Sequence, residues 1–297
     1  MNKGVIYAVV TATLWGFLAI ALKIALKEIP PIEVTWMRFS VAFVSLSLYY
    51  LLFDRKKFQI FTKPPLFAVI ASIFLGLNYL GFVSGINYTT PAISQIFIQS
   101  GPLLFAISGF LLFKEKANWL QIAGLVLAFG GYAVFYNEQI IVLATDVKLY
   151  QKGVLWVLFG GTSWALYAVF QKMAVRNNHP MQLNLVIFGI PALVYTFFID
   201  INQLQGHSAG YWLLFIFLGF NTLVAYGSLS YAFKYLAANK VSVIITANPL
   251  LTFIMMAFFS YFEVTWIQQE TWSILTILGA LIVLSGVVLT VSARRKK

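Results

Sequence analysis

Arg38 sits in the run Pro31-Ile32-Glu33-Val34-Thr35-Trp36-Met37-Arg38-Phe39, at the head of a long apolar stretch. An ionised side chain inside such a stretch is expensive, and by default it marks a pathway. A guanidinium offers a planar fork of donors that suits bidentate pairing with a carboxylate. Arg38 therefore either meets a substrate carboxylate, or snorkels to an interface or pairs with Glu33. Gln95 and Gln99 stand one helical turn apart, so both fall on one stripe. Asn78 and Asn221 lie inside two other apolar stretches, where interhelical bonding alone could satisfy them. Pro102 and Pro249 each free a carbonyl one turn back, next to Gln99-Ser100 and Thr246-Ala247-Asn248. Two kinked helices with free carbonyls and amides would line a cavity, or would merely be packing kinks.

Aromatic rings complete the set. Trp15 and Trp164 lie halfway into their stretches, away from the interfacial belts where tryptophan collects. Tyr79, Tyr167, Tyr226 and Tyr231 share these inner regions. They form either an aromatic wall for an amphipathic or cationic compound or plain core packing. The candidate substrate-binding residues are thus Trp15, Arg38, Asn78, Tyr79, Gln95, Gln99, Trp164, Tyr167, Asn221, Tyr226 and Asn248, with Pro102 and Pro249 as hinges.

The absences narrow the chemistry. No aspartate, glutamate or histidine falls mid-stretch: Asp54, Glu115, Asp200 and Glu263 mark ends, and Glu138, Asp146 and Glu270 lie in connections. A fixed midplane carboxylate that alternates between proton and substrate is not visible. The chain has no cysteine, and His179 and His207 lack metal-ligand partners at helical spacing, so no metal site is expected. No phosphate loop and no nucleophile–base pair is evident, so neither an enzyme nor a cofactor is expected.

The elements that position these residues are membrane helices. The 297-residue chain is 61% hydrophobic and only 10% charged, more apolar surface than a soluble domain can hide. Hydropathy places ten spans near 4–26, 32–53, 65–86, 91–113, 119–136, 153–172, 181–199, 210–233, 241–262 and 272–291. Span one has no cleavage motif and is not read as a signal peptide. Arg38 then lies about six residues into span two, roughly 9 Å along the helix. One side collects Lys3, Arg55, Lys56, Lys57, Lys63, Lys114, Lys116, Lys172, Arg176, Lys234, Lys240 and Arg294 through Lys297. The other has only Lys23, Lys27, Arg38, Lys148 and Lys152. This positive-inside bias puts both termini in the cytoplasm and makes nucleic-acid binding an unnecessary reading of the +11 net charge. Lys23 and Lys172 are close to span ends and are expected to snorkel.

The chain is also duplicated. Gly4-Val5, Thr13, Trp15, Ala19, Lys23, Ala25 and Pro31 recur as Gly153-Val154, Thr162, Trp164, Ala168, Lys172, Ala174 and Pro180, at the constant spacing that separates Trp15 from Trp164. Leu75 to Asn78 resembles Leu218 to Asn221, Gly101-Pro102-Leu103-Leu104 resembles Asn248-Pro249-Leu250-Leu251, and Glu115 and Glu263 follow their prolines at similar distances. Gly124 and Gly131 match Gly279 and Gly286; such small residues allow close helix packing, and a homodimer contact by spans five and ten is possible. Five spans per copy is odd, so the copies are inverted across the bilayer, an architecture of secondary transporters. Residues 1–136 and 153–297 are the copies, 137–152 joins them, and the second ends in a basic cytoplasmic tail.

Trp15-Gly16, Pro30-Pro31 with Arg38-Phe39, the span-four proline followed by Lys-Glu, and the paired glycines of span five resemble the EamA branch of the drug/metabolite transporter superfamily. The second copy departs from the pattern where Arg38 would recur, reading Leu185-Val186-Ile187-Phe188. The resemblance implies ten helices and an exporter-like role, with amino acids or related metabolites as substrates. The expectation is an all-α polytopic protein of the inner or plasma membrane. It moves a small polar or amphipathic metabolite by alternating access, its partners being that substrate and the bilayer. A multidrug or organic-cation exporter, or a non-transporting sensor or assembly partner, is the alternative.

Overall fold

The computed structural model describes residues 3–138, 140–141, 147–262 and 273–292. Asp146, Glu263, Glu270 and the basic tail Arg294 through Lys297 lie outside the described residues. Ten apolar helices are seen: span one Lys3–Ala25, two Pro31–Phe53, three Leu66–Tyr88, four Pro91–Leu111, five Trp119–Phe135, six Gln151–Ala174, seven Pro180–Thr196, eight Ala209–Tyr235, nine Ala238–Tyr261 and ten Ile274–Ser292. Spans five and seven have 17 residues each, about 25 Å of helix at 1.5 Å per residue, near the lower limit for crossing a bilayer. The helix of span six begins early, at Val147, inside the stretch read as connection from the sequence.

Local chemistry sets the starts. Pro31, Pro91 and Pro180 occupy the first helical position of spans two, four and seven, where a missing N–H does no harm. Thr90 accepts from the Ile93 amide at 3.1 Å to cap span four. Asn118 and Gln121 form a reciprocal capping box at span five.

Spans four and nine are broken. Span four divides into Pro91–Ile98 and Ser100–Leu111, and span nine into Ala238–Ile245 and Asn248–Tyr261. At each break the ladder tightens: Gln99 N–H donates to Ile96 O at 3.3 Å and Ala247 N–H to Ile244 O at 3.2 Å. These bonds reach back three residues, as in a 3₁₀ turn. Pro102 and Pro249 follow immediately and cannot restore an α-helical bond across the break.

The sequence copies do not form separate bodies. Span six lies along span three, span eight along span one, span seven against three and span two against eight. Spans one, two, eight and nine make one lobe; three, four, six and seven make the other. The three–six contact is backbone against backbone. A Cβ on Gly81 would sit 2.7 Å from Gly160 Cα, and one on Gly160 would sit 2.9 Å from Phe82 N. Spans five and ten pair at the flank, where a Cβ on Gly124 would lie 2.7 Å from Gly286 O and one on Gly279 would overlap Phe135 N. The four glycines singled out in the sequence thus serve packing within one chain. Exposed side chains such as Val126, Leu213, Leu281 and Leu193 clothe the flanks, as lipid contact requires.

The odd-numbered spans begin on one face, beside Arg55 to Lys57, Lys114, Lys116 and Lys234, and the even-numbered ones end there. Gln182 Nε2 donates to Lys57 O at 2.9 Å across this basic face, and Lys240 Nζ donates to Val291 O at 3.2 Å.

Candidate functional site

Between the lobes lies a cavity of about 50 Å³, lined by Trp15, Leu18, Arg38, Asn78, Tyr79, Phe82, Gln95, Ile98, Gln99, Pro102, Trp164, Tyr226 and Asn248. Its volume has room for a few waters and not for an organic metabolite.

Arg38 is 1% exposed, so it does not snorkel. Among the described residues no carboxylate lies within ion-pair reach of it. Glu33, its sequence neighbour, instead accepts the Asp200 amide at 3.1 Å. Arg38 Nε donates to Thr222 Oγ1 at 3.3 Å, and its guanidinium carbon lies 4.1 Å from the centre of the Tyr79 ring. Tyr79 in turn donates to Thr222 Oγ1 at 3.1 Å and stacks obliquely on Phe39, ring centres 4.3 Å apart. The arginine is held by a hydroxyl and an aromatic face, and its charge has no counter-ion among the described residues.

The rings form a connected wall. Trp15 and Trp164, equivalent in the two copies, meet edge to face at 5.8 Å and 80°. Tyr226 contacts Trp15 at 5.3 Å and Tyr79 at 5.6 Å. Among the described residues neither indole N–H finds a partner, nor do Gln99 Oε1 and Asn248 Oδ1. Buried polar atoms are nearly always paired, so two free donors and two free acceptors around one cavity point to a ligand or water. The other amides are partly engaged: Asn78 Nδ2 donates to Gly160 O at 2.9 Å and Gln95 Nε2 to Thr252 Oγ1 at 3.2 Å.

Three sequence candidates fall outside the cavity wall. Asn221 donates to Leu14 O at 2.8 Å and ties span eight to span one. Tyr167 lies behind Tyr226 at 5.6 Å, toward the basic face. Pro249 stands behind Asn248, on the span-nine break. Tyr231 is also outside, stacked on Tyr7 at 4.9 Å near the basic face. Thr222, which the sequence reading passed over, holds both Arg38 and Tyr79. Its only sequence signal was its place beside Asn221. Leu18, Phe82 and Ile98 line the cavity as apolar residues with nothing to distinguish them beforehand.

Toward the basic face the cavity is shut by aromatic rings. Phe105 meets Phe233 at 5.1 Å and Trp164 at 6.0 Å, and Tyr167 meets Phe233 at 6.4 Å. Beyond this plug lies Lys172, only 8% exposed. It does not snorkel: its ammonium donates to Leu236 O at 2.6 Å and Phe233 O at 3.3 Å. Lys23, its counterpart in the first copy, donates to Thr89 O at 2.7 Å and Ile86 O at 2.9 Å. Both lysines satisfy the orphan carbonyls at a helix C-terminus, which offer a better partner than the interface.

Comparison with known proteins bears on this geometry. An "Uncharacterized transporter" of Haemophilus influenzae is 32% identical over 290 residues, covering 97% of this chain and 94% of the relative. The "Uncharacterized inner membrane transporter YhbE" of Escherichia coli K12 is 28% identical over 288 residues, covering 95% and 89%. A solved crystal structure shares the fold with a TM-score of 0.76 over 99% of both chains, at 17% identity. The description "EamA-like transporter family" matches residues 2–137 and again 151–292. The chain, an all-helical polytopic membrane protein with a small cavity between two lobes that each draw on both halves of the sequence, belongs to the EamA-like transporter family.

Proposed function

We propose that the protein is a secondary carrier for a small zwitterionic metabolite of the amino-acid type, exported from the cytoplasm by alternating access. The observation that carries this reading is Arg38, fully buried in the cavity wall with no carboxylate among the described residues to balance it. A substrate carboxylate supplies the missing charge and takes the fork of donors that Thr222 and Tyr79 leave free. Gln99 Oε1 and Asn248 Oδ1 are acceptors suited to a substrate ammonium, and the indoles of Trp15 and Trp164 flank the apolar part. A cationic drug fits this wall less well, because the same guanidinium repels it in a medium of low dielectric. The broken spans four and nine, with Pro102 and Pro249, are the proposed hinges. The basic face is read as cytoplasmic, which places both termini there and the protein in the inner membrane. Substrate and bilayer are the partners this requires. The glycines of spans five and ten, already engaged within one chain, give a homodimer no support.

The test is uptake and counterflow in proteoliposomes with labelled amino acids and organic cations, with and without a pH gradient. Saturable exchange of zwitterions that is lost in Arg38→Ala supports the reading. Exchange of structurally unrelated cations with equal competition overturns it in favour of a drug carrier.

A further inference from the structure

Lys23 and Lys172 hold equivalent places in the two copies, and each reaches out of its own lobe to the other. Lys23, on span one, grips the joint between spans three and four through Ile86 O and Thr89 O. Lys172, on span six, grips the joint between spans eight and nine through Phe233 O and Leu236 O. Because the copies are inverted, the second grip lies at the basic face and the first at the opposite one.

At the basic face the grip is doubled. Glu115, just beyond span four, accepts the backbone N–H of Ala238 at 2.6 Å and of Asn239 at 3.2 Å. Its carboxylate is 3.7 Å from the Lys172 ammonium. Glu115 and Lys172 belong to the same lobe. Together they hold the carbonyl end of span eight and the amide end of span nine, a base and an acid each placed on the helix terminus whose dipole it complements. The fit is tight: a Cβ on Gly109 would stand 2.8 Å from Glu115 Oε2.

We propose that these two grips are the gates of the carrier, Lys172 with Glu115 closing the basic face and Lys23 closing the opposite one. The proposal rests on the carrier reading of the cavity. Two lobes rocking about a central site must part at one end while they stay joined at the other. The lysines bridge the lobes at those two ends, and each bond is made to backbone carbonyls, so it reforms without a particular side-chain partner. With both grips made, the cavity between them is small, as observed. Lys23, Lys172 and Glu115 are positioning residues here; none touches the cavity.

The chain has no cysteine, so single cysteines report accessibility cleanly. Ser230 lies one turn above the Phe233 carbonyl and Ser94 lies beside Thr89, and both are fully buried. Ser230→Cys and Ser94→Cys are to be labelled with an impermeant thiol reagent in sealed vesicles of each orientation. Glu115→Gln and Lys172→Met are expected to speed labelling of Ser230→Cys from the basic face about ten-fold, the factor for one charge-assisted bond near 1.4 kcal/mol. Ser94→Cys is expected to stay unlabelled or slow further in those variants. Lys23→Met reverses the pattern, and Lys172→Arg restores it. If the methionine variants fail to fold, Glu115→Gln alone decides the basic-face gate. Reporters that move together, or that do not move in folded variants, overturn the proposal. The labelling needs no substrate: opposed shifts without flux of any compound leave the grips standing and remove the carrier reading, while flux with unmoved reporters removes the grips alone.

Discussion

Replacing Arg38 by methionine separates a functional charge from a structural one by the sign of its effect on stability. Holding a guanidinium away from water costs several kcal/mol even after relaxation. The wall returns part of this. The 3.3 Å bond to Thr222 contributes about 1.5 kcal/mol at the low end for a charged donor. The Tyr79 face 4.1 Å away adds about 2 kcal/mol in a desolvated setting. No carboxylate adds more among the described residues. Methionine removes the charge, keeps most of the length and packs against Phe39, so the variant should be more stable by about 1–4 kcal/mol. It should also lose flux of carboxylate-bearing compounds. Unfolding in detergent, followed by tryptophan fluorescence or loss of monodisperse protein on gel filtration, measures the first effect. A carboxylate substrate at a hundred times its Kd should raise wild-type stability by about 2.7 kcal/mol and leave the variant unmoved. A variant destabilised by more than about 2 kcal/mol with flux intact refutes the reasoning, because truncating a structurally required charge has that signature.

Four other substitutions test separate parts of the structure. Gly160→Ala places a methyl 2.9 Å from Phe82 N and 3.2 Å from Asn78 O, backbone atoms that cannot yield, and should cost about 1–3 kcal/mol in the same unfolding assay. Trp15→Phe and Trp164→Phe keep a ring but delete the unpaired indole N–H, so substrate affinity should fall in counterflow with the protein still folded. His207 binds Gln203 O at 2.8 Å and Glu28 Oε2 at 3.1 Å, and these bonds raise its pKa above 6.5. The stability this tie supplies is complete below pH 6.5 and is lost as pH climbs through the raised value. A His207→Gln variant should flatten that dependence when unfolding is followed between about pH 5 and 9.

Much of this molecule was legible because membrane burial penalises polar groups wherever they stand. Arg38, Gln95, Gln99, Asn78 and Asn248 drew attention as polar residues in apolar stretches, and all five line the cavity. The same logic drew in Asn221, whose amide is instead satisfied by Leu14 O. Nothing in a sequence tells which side of a helix faces a cavity when both sides face protein. Tyr167 fails for a related reason: it belongs to the inner ring network but sits one layer behind Tyr226. The lysines failed differently. Proximity to a span end suggested the interface, yet Lys23 and Lys172 were close to the free carbonyls of another helix, a partner visible only once spans three and eight are placed. The spacing of the sequence pairs Lys23 with Lys172; only the structure shows what each holds.

The interleaving of the two sequence halves has a consequence for how the chain is made. Thr11 donates to Ala225 O at 3.0 Å, a contact spanning 214 residues. At about 5–20 residues per second, a ribosome takes roughly 10–40 s to deliver the second partner after the first. Span six emerges soon after span three and can close on its glycines at once, whereas span one waits in the bilayer until span eight arrives. During that interval the edge of span one that carries Thr11 and Trp15, later covered by Ala225 and Tyr226, lies open to lipid and to the insertion machinery. Nascent chains that stall before residue 225 are thus the ones a membrane quality-control protease would find.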